Sequence, residues 1–300
     1  MIRTSFITAV AAAAGWLLST TAAGAQAKCD VSVEPVLSQW EIRYNPLEDP
    51  AAFRSFDLWL DNKGTTPCNG DLQVSLNGEP FGLTRSDGRG GVDYSLRLAD
   101  GRNANVTPSS GVSVNLPGEG LHLAAGERRL IRLDFQALPG DAVAAGRYAQ
   151  TAHLSFVRQN NDVFGGAPVV LLLDVVPAAV IGLKGEFTRL QGTPVIDLGE
   201  LTQGPRLLPT SLYVHSTSAY RISIASANQG RLVQGKSGWN VDYSLRVGTM
   251  DIDLKGTSLI NETSQQIHRD DYPLSIHIGD VRGKRAGEYS DVLTFTVTAI

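Results

Sequence analysis

The chain is 300 residues long, with 42% hydrophobic, 19% charged and 7% aromatic residues, and with 31 Gly and 14 Pro. That is too apolar for a disordered chain and too polar for a polytopic membrane protein, and the length suits two domains that each bury a core. The formal net charge is −4, from 26 basic and 30 acidic residues, and no run of four Lys/Arg occurs. Nucleic acid is therefore excluded as an expected partner, because its binding needs a basic surface.

Residues 1–27 read as a secretory signal peptide. Arg3 is their only charge, an apolar run spans 6–18, and Ala25-Gln26-Ala27 supplies a small-x-small cleavage pattern. Cleavage leaves 273 residues (300 − 27) with a net charge of −5 once Arg3 is removed, starting at Lys28. A lipoprotein signal ending at Cys29 is disfavoured by Lys28, which stands where a small residue is needed. Export makes a disulfide the default state of the two cysteines, Cys29 and Cys68. The alternatives, a zinc site or a reactive thiol, lack nearby paired His.

Period-two alternation dominates the mature chain. Strands are predicted at 55–60, 72–76, 92–98, 130–135, 212–215, 222–225, 241–247 and 274–278. Between them lie turn signals at Asn77-Gly78, Asp87-Gly88, Asp100-Gly101 and Asn228-Gln229-Gly230. The expected fold is all-β, with two immunoglobulin-like antiparallel sandwiches in tandem, at 28–177 and 178–300. An internal repeat supports the division. The hexapeptide VDYSLR occurs at 92–97 and again at 241–246, and Ala145-Gly146-Arg147-Tyr148 is echoed by Ala286-Gly287-Glu288-Tyr289. Apolar residues follow in step, Ala152, Leu154 and Phe156 in the first copy and Leu293, Phe295 and Val297 in the second. VDYSLR itself reads as a core strand whose Asp and Arg form a surface ion pair.

The two copies then diverge. The first continues through a polar loop at 158–166 into an apolar run at 168–176 that can close the first sandwich or the second. The second copy reaches Ile300 directly after the matching strand, so its sandwich is expected to lack a closing strand. Three or four inward apolar side chains at roughly 1.5–3 kcal/mol each make that contribution about 5–12 kcal/mol. This rivals the net stability of a whole domain. The expectation is β-strand addition from another chain.

These residues carry a resemblance. The terminal Gly-x-Tyr-x-Asp-x-Leu-Thr-x-Thr-Val at 287–297, its looser version at 146–151, and the start Cys29-Asp30-Val31-Ser32-Val33 with Tyr44-Asn45-Pro46 resemble the spore-coat U (SCPU) domain of archaic, Csu-type chaperone–usher pili. The resemblance implies a two-domain tip adhesin. Its first domain would grip a host or abiotic surface, and its second would accept a strand at Tyr289, Leu293, Phe295 and Val297. The implied partners are a periplasmic pilus chaperone, an outer-membrane usher and a neighbouring pilin subunit, with transit through the periplasm to the cell surface and a role in biofilm. Only Lys28 precedes Cys29, so a donor segment of its own is not expected. The second domain departs from the family pattern in having no cysteine.

No catalytic or cofactor motif is legible. The five histidines (122, 153, 215, 268 and 277) show no metal spacing, and there is no nucleophile elbow or phosphate loop. Asp251 with Asp253 and Asp270 with Asp271 are paired acids of the kind a glycosidase uses, but exposed acids are commoner in an acidic protein. The chain is expected to be no enzyme and to need no cofactor. Candidate surface-binding residues are Phe81, in the turn-rich loop 77–91, and Val163-Phe164, in the loop 158–166. The competing reading is a stand-alone periplasmic or secreted binding module of two complete sandwiches. A periplasmic chaperone is less favoured by the acidic balance.

Overall fold

A computed structural model describes residues 28–88, 91–99, 104–108, 120–140, 143–158, 160–235 and 237–300. The signal-peptide assignment and the Asp100-Gly101 turn lie outside the described residues. In chain order the first half carries β1 (Val31–Pro35), β2 (Gln39–Tyr44), β3 (Ala52–Asn62), β4 (Cys68–Ser75) and β5 (Leu83–Arg85). It continues with β6 (Gly91–Leu98), β7 (Leu121–Leu123), β8 (Arg128–Leu138), β9 (Gly146–Arg158) and β10 (Val163–Val175). The second half carries β11 (Ala179–Gly185), β12 (Thr188–Leu190), β13 (Thr193–Val195), β14 (Gly204–Ser216), β15 (Tyr220–Ser226) and β16 (Arg231–Val233). It ends with β17 (Asn240–Val247), β18 (Met250–Ile252), β19 (Ser258–Glu262), β20 (His268–Ile278) and β21 (Leu293–Ala299).

Each half is a sandwich of two sheets. In the first, the ladder β1-β3-β8-β6 faces the ladder β2-β10-β9-β4, and β5 joins them by pairing with both β6 and β9. Alternation explains these strands. On β3, Phe56, Leu58 and Leu60 are buried while Ser55, Asp57 and Asp61 face outward or lie at the margin. The apolar run predicted at 168–176 is the main part of β10. It pairs antiparallel with β9 and parallel with β2, and Val169, Leu171, Leu173 and Val175 are at most 1% exposed. The first half thus closes on its own strand. In the second half, β11-β14-β20-β17 with β16 and β18 faces β19-β15-β21, and β12–β13 forms a separate hairpin. Two distinct cores result, one built from residues between 29 and 175 and the other from residues between 208 and 278.

The repeat seen in the sequence extends to the strand registers. Leu83 opposite Val92 becomes Leu232 opposite Val241, and Thr84 opposite Ala149 becomes Val233 opposite Ser290. Tyr94–Ala137 and Leu96–Phe135 become Tyr243–Ile278 and Leu245–Ile276. Leu72–Phe156 and Val74–Leu154 become Ile222–Val297 and Ile224–Phe295. The Ala-Gly-x-Tyr echo has a physical basis. Gly146 (φ 143°) and Gly287 (φ 150°) turn the chain where a side chain is strained, the preceding carbonyls of Ala145 and Ala286 accept hydrogen bonds from Arg85 and Gln234, and the tyrosines donate back to Ala144 and Arg285.

The ion pair expected within VDYSLR is corrected in the second copy. Arg246 binds Asp251 at 2.8 Å instead of Asp242, because the β17–β18 hairpin sets these two residues directly opposite each other.

Cys29 and Cys68 form the expected disulfide, which ties the chain before β1 to the start of β4. Their separation of 39 residues gives a loop-closure stabilisation of about 4 kcal/mol. Reduction, or Cys29→Ser, is expected to lower the unfolding free energy of the first half by about that amount in urea titrations. Trp40 and Trp59 lie on β2 and β3 and report that transition, while Trp239 reports the second half, which should be unaffected.

Candidate functional site: an open groove between two sheet edges

The second half presents two strand edges that no described strand pairs. β21 bonds to β15 on one side and to no other described strand, apart from the single bridge of Ser290 with Val233 just before it. β11 bonds only to β14. The two edges lie side by side, one at the margin of each sheet, and their inward side chains are only half-buried. On β21 these are Leu293, Phe295 and Val297, and on β11 they are Ala179, Ile181 and Leu183, all packed against the second core.

The first half shows what cover such a strand normally has. Tyr148, Gln150, Ala152, Leu154 and Phe156 are the inward residues of β9, and each is 6% exposed or less beneath β10. Their counterparts Tyr289, Asp291, Leu293, Phe295 and Val297 are all half-buried. Same topology and same register therefore give different burial, and the described strands differ at this place by the presence of β10. The groove between β11 and β21 has apolar side chains on its floor, and backbone N–H and C=O groups along its walls.

One end of the groove is anchored by Asp291. Its carboxylate accepts hydrogen bonds from Ser226 Oγ (2.5 Å), Tyr243 Oη (2.6 Å), the Asn228 amide (2.9 Å) and the Val292 amide (2.8 Å). The equivalent bond in the first half joins Tyr94 Oη to Gln150 Oε1 at 2.9 Å. Burial, aided by the Asp291 bond, holds the Tyr243 hydroxyl protonated well above the usual phenol range. At the other end Tyr220, opposite Ala299, lies 2.6 Å from both Asp270 and the Tyr272 hydroxyl, and its ring stacks on His268. Burial likewise raises its hydroxyl far above the phenol range. There the groove opens into a cleft of about 330 Å³ between the halves, lined by Asn45, Leu47, Glu48, Pro177, Thr298 and Ala299 among others.

The groove brings together all four residues assigned to the acceptor strand. Tyr289 lies just before β21, while Leu293, Phe295 and Val297 share its inward face. The surface-binding candidates do not assemble into one site. Phe81 is not a free loop tip, since its ring sits 4.8 Å from that of Tyr94 and packs on the first core. Val163 and Phe164 are not in a loop but open β10, opposite Val157 and Phe156. Phe164 packs on the core and Val163 is 65% exposed. The paired acids are also dispersed. Asp253 falls outside β18 and is not on a common strand face with Asp251, Asp271 binds Lys184 at 2.7 Å, and Asp270 serves Tyr220. Among the described residues no group of three or more His, Cys, Asp and Glu could hold a metal ion.

Sequence reasoning missed β11. Its residues AVIGLKG carry two glycines and too few polar positions to show alternation, although Ala179, Ile181 and Leu183 at alternate positions were the available signal. It also missed the role of Asp291, whose signal was its place two residues after the repeated Tyr.

No protein-family model matches the chain, and no curated protein matches it. Solved structures of similar shape include the chaperone–tip adhesion subunit pre-assembly complex of the archaic chaperone-usher Csu pili of Acinetobacter baumannii. It is 11% identical, with a TM-score of 0.48, and covers 90% of this chain and 99% of that one. The CooA pilin subunit of enterotoxigenic Escherichia coli is 13% identical at a TM-score of 0.35, over 49% of this chain and 98% of its own. A chaperone–tip adhesin complex of CFA/I fimbriae is 11% identical at a TM-score of 0.31, covering 88% and 96%. All three fall below a TM-score of 0.5, so function has to be read from the chain's own edges and side chains.

Asp291→Ala strands the Tyr243 hydroxyl and the Asn228 amide, both partly buried. It is expected to cost the second half about 2–3 kcal/mol in urea unfolding, against about 1 kcal/mol for Tyr243→Phe.

Proposed function

We propose that the chain is an exported structural subunit of a chaperone–usher pilus, and that its second sandwich accepts an extended strand from another polypeptide. The observation that carries this reading is the contrast between β9, buried beneath β10, and β21, whose inward face is half-open and whose outer edge pairs with no described strand. A face of this kind is favourable to fill, because each added inward aliphatic side chain removes apolar area from water on both sides of the contact. On this reading a periplasmic chaperone and then a neighbouring pilin subunit supply the strand, and an outer-membrane usher carries out assembly.

A position at the fibre tip follows from the division of labour between the halves. The first sandwich closes on its own β10 and is free to face a host or abiotic surface, with Val163 the most exposed of the candidate contacts. The role is one of binding and assembly, without catalysis or a cofactor. The second reading, a stand-alone secreted binding module, is favoured by the presence in both halves of a packed core.

The test is thermal unfolding of the full mature chain, with and without a strand of alternating Val and Thr tethered after Ile300 by a long flexible linker. The second-half transition, followed through Trp239, is expected to rise by at least about 10 °C, given roughly 3–5 °C per kcal/mol for a domain of this size. An unchanged transition would mean that the sandwich is complete and would favour the stand-alone module.

A further inference from the structure

We infer that the strand filling the groove is selected by register. It runs antiparallel to β21, with a small side chain opposite Phe295 and large aliphatic side chains opposite Asp291 and Tyr289. This rests on the strand-accepting reading and specifies the partner it requires. The basis is the chain's own duplicate of the contact. On β10, Leu173 stands opposite Tyr148, Leu171 opposite Gln150, Val169 opposite Ala152 and Ala167 opposite Leu154. The two halves keep one constant displacement through this region, since Ala137, Ala149, Leu154 and Phe156 map to Ile278, Ser290, Phe295 and Val297 in independent strand pairs. Each inward position of β21 therefore has a known opposite number.

The substitutions between the halves sharpen the pattern. Phe295 replaces Leu154 and Leu293 replaces Ala152, so both are larger, and the space opposite them shrinks to a residue no larger than Ala or Val. Tyr289 keeps the tyrosine of position 148, and Asp291 takes the place of Gln150, so the Leu-sized spaces opposite them are retained. A large aliphatic side chain opposite Asp291 also shields the Tyr243–Asp291 hydrogen bond from water. A slip by two residues brings the Val169 equivalent onto Phe295 and the Leu171 equivalent onto Leu293, enlarging both contacts, and a slip by one turns the apolar face outward. In the antiparallel direction the strand's N-terminal end lies beside Thr298 and Ala299, at the cleft that also contains Asn45, Leu47 and Glu48 of the first half.

The chain supplies its own probe. Residues 160–175 follow β9 through a short connection, and the position equivalent to the last residue of β9, Arg158, is Ala299. A copy of 160–175 is appended directly after Ile300 of the full mature chain, a length that permits only a hairpin and hence only an antiparallel strand. The parent extension is expected to raise the second-half melting temperature and to slow hydrogen exchange across 293–299 at least tenfold. Three altered extensions should each lose most of both effects: Leu in place of the copied Ala167, a two-residue insertion before it, and Asp in place of the copied Leu171. Leu in place of the copied Pro168, which faces outward, should keep them. Equal protection by every extension, or protection only through a long linker that permits a parallel strand, would overturn the register inference and leave strand acceptance standing. No protection by any strand, short-linked or long-linked, would overturn both.

Discussion

A β-strand at the margin of a sandwich has two needs that must be met together. Its outer backbone groups require hydrogen-bond partners, and its inward side chains require a cover. In the first half of this protein one strand meets both needs. β10 bonds to β9 along its whole length and lays Val169, Leu171, Leu173 and Val175 over the core. In the second half the same place holds two strand edges and a half-exposed apolar floor. Exposed backbone edges can be satisfied by water, but an apolar floor cannot, so it is the half-exposed side chains that set this groove apart from an ordinary sheet margin.

How well that comparison works depends on how closely the duplication has been kept. The turn before β9 and the turn before β21 share three features: a glycine at positive φ, an upstream side chain bonded to the carbonyl before it, and a tyrosine bonded four residues back. Together these fix where the strand enters the sheet and which of its residues point inward, so the registers downstream coincide. The partners at the turn have changed, from Arg85 to Gln234 and from Gln150 to Asp291, while the bonds they make persist. Geometry has been retained while side-chain chemistry drifted.

Much of this architecture was legible because alternation and local repetition are properties of short windows. The strands around VDYSLR and the terminal Leu293, Phe295 and Val297 show period two over six or more residues, and the closing run at 168–176 shows as an unbroken apolar stretch. What stayed hidden depends on partners distant in sequence. β11 carries weak alternation and becomes a groove wall only because β14 brings it to the sheet edge opposite β21. Phe81 reads as a loop tip until Tyr94 supplies a ring to pack on. Val163 and Phe164 read as loop because Gly165 and Gly166 follow them, and those glycines sit at a register shift within a longer strand. Asp251 appears free until a hairpin places Arg246 beside it.

The replacement of Gln150 by Asp291 fits the different demands on the two strands. β9 is held from both sides, by β4 and β5 on one edge and β10 on the other, and near its start Gln150 accepts hydrogen bonds from Tyr94 Oη and the Gly82 amide and donates one to the Pro80 carbonyl. Among the described strands β21 is held by β15 alone through its length, so Asp291, just before it, has to help keep it in place. A carboxylate is suited to this, since it accepts several bonds at once and hydrogen bonds to a charged acceptor are stronger than neutral ones. Asp291 takes bonds from two hydroxyls and two backbone amides, tying β21 to β15, to β17 and to the turn after β15. The groove can then keep its shape with one wall unpaired by any described strand, its edge preorganised by these four bonds.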